Sequence, residues 1–285
     1  MLTHSKLTAA PALRRLTLGV VASLGATLCG AAHAQDAGTK PDEGADLAKK
    51  LANPIAALIS VPFQYNWDGN MGPTEDGSKS YLNIQPVIPL SLGPDLTLIT
   101  RTILPLVDLK DLPVSGDNES GIGDVTASQF LSPKRPTASG WIWGAGPVEL
   151  LPTASDRALG TGKFGLGPTF VALKQNGPVT IGILANHLWS VAGDSERADV
   201  SATFLQPFFA YITHTKTTFS FNTESTYNWK ASAWSVPINM SVAQLLKAGP
   251  QILQVSVGAR YWVTSPDHGP SGWGWRAVAT LLFPK

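Results

Sequence analysis

The chain contains few residue combinations that could perform catalysis. It has no G-x-S-x-G nucleophile elbow and no H-E-x-x-H zinc motif, and Cys29 is its one cysteine. His187 precedes Ser190 by three residues, so in an extended strand their side chains would face opposite ways. A lipid hydrolase that uses His187 is therefore a third-ranked hypothesis. The sequence predicts a protein without catalytic residues, metal or cofactor.

Charged side chains form a second group, because they interrupt segments that are otherwise apolar or alternating. Burying such charges without partners is costly, so they should pair with one another or meet water. Arg260 and Arg276 could form a basic ladder facing Glu224. This ladder is either a selective constriction in a pore or a set of charges that neutralise one another in a packed interior. The predicted lumen-lining residues are Arg101, Asp124, Glu149, Asn222, Glu224, Arg260 and Arg276.

The segments that must position these residues alternate with a period of two. In TFSFNTESTYNW, residues 218–229, Phe219 and Phe221 alternate with Ser220 and Asn222. VTIGILANHLW, WSVPINMSVA and LQVSVGARYWV follow the same pattern, which is typical of strands with one apolar face. Charged residues make up only 14% of the chain, against about 25% in soluble domains. These features predict an all-β, antiparallel up-and-down transmembrane barrel.

Turn signals divide the chain into about twelve strands. The predicted spans are 60–67, 80–90, 95–107, 122–131, 140–151, 163–173, 178–190, 199–213, 217–229, 233–246, 251–264 and 272–283. Short connections such as KQNGP alternate with longer ones such as DLKDLPVSGDNES, as periplasmic turns alternate with outer loops. The even count places both ends of the barrel sequence in the periplasm. The expected location is the outer membrane of a Gram-negative bacterium.

The tryptophans gather at the ends of the predicted strands. The predicted membrane-interface residues are Trp67, Trp189, Trp229, Trp234 and Trp273 at outer ends, and Trp141 and Trp143 at a periplasmic end. Trp262 and Trp275 also fall at outer ends. Two aromatic girdles are typical of barrels in a lipid bilayer. The alternative is a secreted soluble β-sandwich with tryptophans in its core.

The first residues have the features of a secretory signal peptide. Lys6, Arg14 and Arg15 precede an apolar run that is too short to span a bilayer. Ala32 and Ala34 supply the small residues of a cleavage site. We therefore expect residues 1–34 to be a signal peptide.

A short amphipathic helix is predicted between the signal peptide and the barrel, within a periplasmic segment at residues 35–59. Leu47, Leu51 and Ile55 recur at helical spacing, and the following Asn-Pro pair at residues 53–54 would break or kink the helix. The segment could enter the barrel as a plug or lie against the periplasmic rim, or it could serve only for packing. The barrel would occupy residues 60–285.

Several segments resemble a bacterial outer-membrane family associated with meta-pathway phenol degradation. They are LANPIAALISVPFQYNWD, GIGDV, GPVELLPTASDRALGTGKFGLGP, ANHLWSVAGDSERADVSATFLQPF, NTESTYNW, VPINMSVA and the terminal LLFPK. The resemblance runs from about residue 46 to the end, and it implies an outer-membrane barrel that passes hydrophobic or aromatic compounds. It brings no catalytic residues. Phe283 is followed by Pro-Lys, whereas many barrels end on an aromatic residue that the barrel assembly machinery recognises.

The predicted function is passive channelling or transport of small molecules, hydrophobic or aromatic ones among them. The runner-up is a structural or binding barrel with a blocked lumen, and a lipid hydrolase ranks third. The expected partners are the lipid bilayer, a small-molecule solute and the barrel assembly machinery. A formal net charge of +1 gives no electrostatic footprint for nucleic acid.

Overall fold

A computed structural model describes residues 43–284. The signal peptide predicted at 1–34 and the first part of the predicted periplasmic segment, 35–42, lie outside the described residues. In the described part of the chain, one helix precedes fifteen strand segments: α1 (Glu43–Leu51), β1 (Ile59–Met71), β2 (Gly77–Ile84), β3 (Val87–Leu92), β4 (Leu96–Lys110), β5 (Asn118–Ile122), β6 (Val125–Pro133), β7 (Trp141–Leu151), β8 (Lys163–Asn176), β9 (Val179–Gly193), β10 (Ser201–Ile212), β11 (Thr217–Thr223), β12 (Ser225–Asn228), β13 (Ala233–Ala248), β14 (Gln251–Thr264) and β15 (Gly272–Phe283).

The fifteen segments form twelve barrel strands, because three strands are interrupted. The pairs β2/β3, β5/β6 and β11/β12 each continue one strand along shared neighbours. All neighbours are antiparallel, and β1 pairs with β15 from Ile59 opposite Phe283 to Trp67 opposite Trp275. This last pairing closes the sheet. The predicted all-β, up-and-down barrel of about twelve strands is confirmed.

The strand boundaries differ from the predicted ones in two ways. The predicted strands 80–90, 122–131 and 217–229 each cross a break, at 85–86, 123–124 and Glu224. The break at 85–86 contains a proline, which cannot donate to the ladder. Several strands also extend further outward than predicted. Their outer ends carry polar residues and glycine, so the apolar alternation fades there.

The outer face of the barrel carries an apolar belt. Its exposed members include Ile181, Ile183, Phe209, Phe219, Phe221, Met240, Val242, Val255 and Val257. In β14, outward Val255 and Val257 alternate with Ser256 and Gly258, and the inward Arg260 is buried. An apolar belt around a closed barrel is stable in lipid, which places the protein in the outer membrane. Within residues 43–284, no helix has both the length and the apolar character needed to cross a membrane.

Most tryptophans lie on the outer face at strand ends. Trp189, Trp229, Trp234, Trp273 and Trp275 are exposed at the end with the longer loops, and Trp141 and Trp143 are exposed at the other end. Trp67 is partly buried on the outer face beside Trp275. Tyrosines reinforce the outer girdle, since the rings of Tyr65, Tyr227 and Tyr261 lie tilted or edge-on to tryptophan rings, with centroids within 5.0 Å. Trp262 differs, because its side chain faces the lumen.

Helix α1 has charges arranged to suit its dipole. Glu43 and Asp46 lie in its first turn, and Lys49 and Lys50 lie in its last turn. Beyond the helix, the side chain of Asn53 accepts a hydrogen bond of 3.0 Å from the backbone N–H of Ile55. This local bond redirects the chain before β1.

The segment that follows α1 lies inside the periplasmic half of the barrel. Ile55 packs in a buried cluster, here called the Ile55 cluster, with wall residues Ile99, Phe130, Val171, Leu173 and Leu184. Leu47, Ala56 and Leu58 pack against Leu282. Gln175 of the wall donates a hydrogen bond of 2.8 Å to the Lys49 carbonyl. Residues 50–58 therefore line the lumen, whereas the start of α1 at Gly44 lies beside Lys216 in the periplasmic turn between β10 and β11.

Candidate functional site

One wall of the lumen carries a network of charged residues centred on Glu224. Glu224 follows the end of β11, at the break before β12, and its side chain points inward. Arg276 donates to both of its oxygens, at 2.9 and 2.8 Å, in the bidentate geometry that strengthens an ion pair. Arg260 approaches the Oε2 atom at 3.5 Å. Strand pairing thus unites Glu224, Arg260 and Arg276, as the sequence pattern suggested.

Arg260 also reaches across the barrel closure to Asp68 on β1. The two side chains form an ion pair at 3.3 Å, and both are almost fully buried. Arg260 also donates to the hydroxyl of Tyr81 and lies 4.7 Å from the Trp262 ring centroid. The Trp262 indole donates to the second oxygen of Asp68 at 2.8 Å.

Close backbone approach allows this arrangement. A β-carbon at Gly274 would lie 2.5 Å from the Trp67 carbonyl and 2.7 Å from an Asp68 oxygen, so glycine leaves the needed room. On the same wall, the Nε of Arg276 donates to Asn66 at 2.7 Å. We call Asn66, Asp68, Tyr81, Glu224, Arg260, Trp262 and Arg276 together the lumenal network.

Arg101 faces the lumen outside this network. Its guanidinium donates to the buried Gln85 side chain at 2.7 Å. No carboxylate among residues 43–284 forms an ion pair with it. Gln85 holds this position because it lies at the break between β2 and β3, where its backbone N–H bonds to Pro62.

Two further predicted lumen residues face inward, but they have different surroundings. The amide of Asn222 accepts a hydrogen bond of 2.9 Å from Asn239 and lines a lumenal cavity. Asp124 accepts bonds from the Thr161 backbone and hydroxyl, at 2.5 and 2.7 Å, and from Ala154 at 3.2 Å. Asp124 therefore fastens an outer loop and does not line an open path.

The prediction that Glu149 faces the lumen is wrong. β7 pairs with β6 and β8 without a slip, so Glu149 keeps the outward parity of Trp141 and Trp143. The intervening Val148 is fully buried on the lumenal side. The proline at 147 does not produce the change of facing that would have turned the carboxylate inward.

The loop between β7 and β8, residues 152–162, packs against the break between β5 and β6 and is here called the outer cap. Arg197 from the next loop donates to the carbonyls of Arg157 at 3.0 Å and Thr161 at 3.1 Å, and also to that of Gly160. Leu159 of the cap is buried. Beside the cap, Lys163 bonds to Asp199 at 3.2 Å and lowers the pKa of that carboxyl. These contacts give the cap a defined conformation.

The lumen contains two adjoining cavities. The lower cavity, of about 290 Å³, lies between residues 50–58 and the barrel wall. The upper cavity, of about 320 Å³, lies nearer the outer end and borders Glu224. Both are lined by Gln64, Gln85, Arg101 and Gln206, so these four side chains mark the junction. A third cavity of about 480 Å³ opens at the periplasmic mouth beside Ile55 and Ile142.

On the lipid-facing surface of the barrel, His187 lies beside two hydroxyl side chains. The Nδ1 atom of His187 is 2.7 Å from the Thr203 hydroxyl, and its Nε2 atom is 3.4 Å from the Ser201 hydroxyl. Ser190 faces the other way from His187, as its strand parity predicts, and its hydroxyl donates to Asp199. Ser201 was missed because the relevant neighbour comes from the paired strand, at a sequence distance that no local motif reveals. Across residues 43–284, no cluster of His, Cys, Asp or Glu could hold a metal ion.

No protein-family model matches the chain, and no curated protein matches it. Among solved structures, it is similar to an outer-membrane channel from Pseudomonas putida F1, with a TM-score of 0.63 and 16% identity over 80% of this chain and 96% of that chain. Escherichia coli outer membrane phospholipase A gives a TM-score of 0.47 and 12% identity over 84% of this chain and 98% of that chain. The β-domain of the Bordetella autotransporter BrkA gives a TM-score of 0.43 and 12% identity over 80% of this chain and 100% of that chain. The first comparison shows shared fold alone, and it agrees with the closed outer-membrane barrel described above.

Proposed function

We propose that the protein is a passive outer-membrane channel for small molecules, hydrophobic or aromatic ones among them. The observation that carries this proposal is the pair of adjoining lumenal cavities that share Gln64, Gln85, Arg101 and Gln206. They extend from the level of the lumenal network to the segment that follows α1. A barrel that served only as a scaffold would need no such space.

The composition of the cavity walls favours solutes with an apolar part. Phe130, Phe204 and Leu184 line the upper cavity, and Phe208 and Leu58 line the lower one. Amide side chains alternate with these apolar groups. A wall of this kind suits an aromatic compound with one polar substituent. The resemblance to an outer-membrane family associated with phenol degradation supports the same class of solute. The proposal also includes insertion of the barrel into the outer membrane by the barrel assembly machinery.

The segment 52–58 acts in this proposal as a constriction. Ile55 stands among five wall side chains, and displacement of the segment would open the lower cavity toward the periplasmic mouth. The runner-up, a barrel with a permanently blocked lumen, would keep this segment in place at all times.

Permeation experiments test the proposal. Full-length protein and a variant lacking residues 43–58 would be reconstituted in liposomes and planar bilayers, and benzyl alcohol flux and ion conductance would be measured. We expect measurable flux with the full-length protein and higher conductance with the deletion variant. Ile55→Asp should act in the same direction, because a carboxylate in an apolar cluster is costly. Absence of flux through every correctly folded variant would favour the blocked scaffold.

Hydrolysis of lipid esters is a second candidate function. It is favoured by one observation, the approach of the Ser201 hydroxyl to His187 on the lipid-facing surface. It ranks below the channel because β10 is paired on both sides at this point, which leaves few free backbone donors for an oxyanion. Phospholipid hydrolysis that is lost in both Ser201→Ala and His187→Ala would establish it.

A further inference from the structure

Arg101 lies at the junction of the two lumenal cavities. We infer that the lumen contains a binding site for a small amphipathic carboxylate, whose head contacts Arg101 and whose apolar body lies in the upper cavity. This inference rests on the proposed channel function and names the class of solute that the channel takes. A small aromatic monocarboxylate has the required chemistry.

Arg101 differs from the other lumenal arginines in its partners. Arg276 holds a carboxylate with two bonds, and Arg260 pairs with both Asp68 and Glu224. The Arg101 guanidinium has five N–H donors, yet within residues 43–284 its hydrogen bond goes to the neutral side-chain oxygen of Gln85. Its positive charge is therefore not neutralised by direct contact.

The nearest candidate to neutralise Arg101 is Glu224, which lines the same upper cavity. Both Glu224 oxygens are already occupied by Arg276, and Oε2 also faces Arg260. Asp68 is engaged by Arg260 and Trp262. The carboxylates of the network are thus committed to other cations, and an incoming anion would meet an arginine with free donors.

The surroundings of Arg101 fit an amphipathic monoanion. Gln64 and Gln206 adjoin it at the cavity junction and offer amide groups to a carboxylate. Ile103, Phe130, Leu184 and Phe204 form apolar wall in the upper cavity. One guanidinium matches one carboxylate in fork geometry.

Equilibrium dialysis with benzoate tests this site directly. Purified full-length protein in amphipol would be dialysed against radiolabelled benzoate and, separately, against benzamide, which has the same ring and no charge. We expect wild type to bind benzoate more tightly than benzamide. Arg101→Gln should weaken benzoate binding at least tenfold and leave benzamide binding unchanged, and Arg101→Lys should fall between. Arg135→Gln, at an exposed position in the periplasmic turn, is the matched control and should bind as wild type does.

Failure of this inference can be separated from failure of the channel. Equal binding of benzoate and benzamide by wild type, or unchanged benzoate binding in Arg101→Gln, would overturn the carboxylate site. Flux of benzyl alcohol through wild-type proteoliposomes would still stand as support for the channel. If Arg101→Gln fails to fold, the comparison of benzoate with benzamide in wild type and the partial loss in Arg101→Lys decide the matter.

Discussion

The carboxylate of Glu224 holds two buried arginines together, so its removal should destabilise the barrel strongly. In Glu224→Gln, Arg276 loses its anionic partner and keeps at most one of its two bonds, to the amide oxygen, and Arg260 keeps Asp68 alone as its anionic partner. Breaking a buried ion pair on one side costs about 3–5 kcal/mol. The Glu224 side chain is 20% exposed and borders the upper cavity, so water can partly replace it. We therefore expect a loss of about 3 kcal/mol, at the low end of that range.

Guanidinium-induced unfolding in lipid vesicles, followed by tryptophan fluorescence, would measure this loss. Glu75→Gln is the matched control, because Glu75 is exposed in an outer loop and undergoes the same chemical change. It should alter the unfolding free energy by less than about 0.5 kcal/mol. Glu224→Gln combined with Arg276→Met should recover part of the loss, since the stranded charge is removed with its partner. A loss below about 1 kcal/mol in Glu224→Gln would show that water, and not Glu224, stabilises the charges of the two arginines.

Three further predictions concern the two faces of the barrel and its outer cap. Val257→Arg, on the lipid face, should cost about 2–4 kcal/mol of unfolding free energy, and Ser256→Arg should cost less; equal costs would contradict the assigned facing. Replacing both Arg260 and Arg276 with glutamine should shift the reversal potential in bilayers away from anion preference, and an unchanged potential would mean that ions do not pass the lumenal network. Arg197→Ala should make the outer cap at least several times more susceptible to protease without changing heat-modifiable barrel mobility on gels, because three carbonyl contacts are lost; unchanged cleavage would refute this role.

The membrane-facing pattern of the barrel could be predicted from sequence because side chains that face lipid are mostly apolar. Alternation predicted the facing of Phe221, Val255 and Arg260, although Glu149 on β7 faces outward as an exception. The same parity argument brought Arg276 and Glu224 to one wall. The turn signals between the alternating segments then predicted the number of strands, and the scarcity of charge on their outer faces predicted a closed barrel.

Residues whose position depends on contacts from distant strands could not be predicted. Asp68 stands in the stretch NWDGN, where Asp-Gly favours a turn, yet β1 continues through it to Met71 and pairs there with β2. Tyr81 and Gln85 have no local pattern that distinguishes them from other strand residues. Asp124 has the inward parity expected, but its partners come from the outer cap, which is remote in sequence.

The distribution of charge and apolar surface along the lumen bears on how a channel could bind a solute without retaining it. Conduction requires a site that is favourable enough to enter and weak enough to leave. Two of the inward arginines are held by carboxylates, whereas Arg101 donates to the neutral Gln85 side chain, so an anionic head can gain a strong contact there. The Ile55 cluster lies on the periplasmic side of this point, so an apolar body that leaves Arg101 in that direction meets side chains like its own. A solute that inserts there contacts the same wall side chains as Ile55. The apolar area that the solute buries then offsets the area that segment 52–58 exposes, so the free energy changes little. Under the proposed function, a solute that leaves Arg101 for the Ile55 cluster would displace segment 52–58 and so open the path to the periplasm.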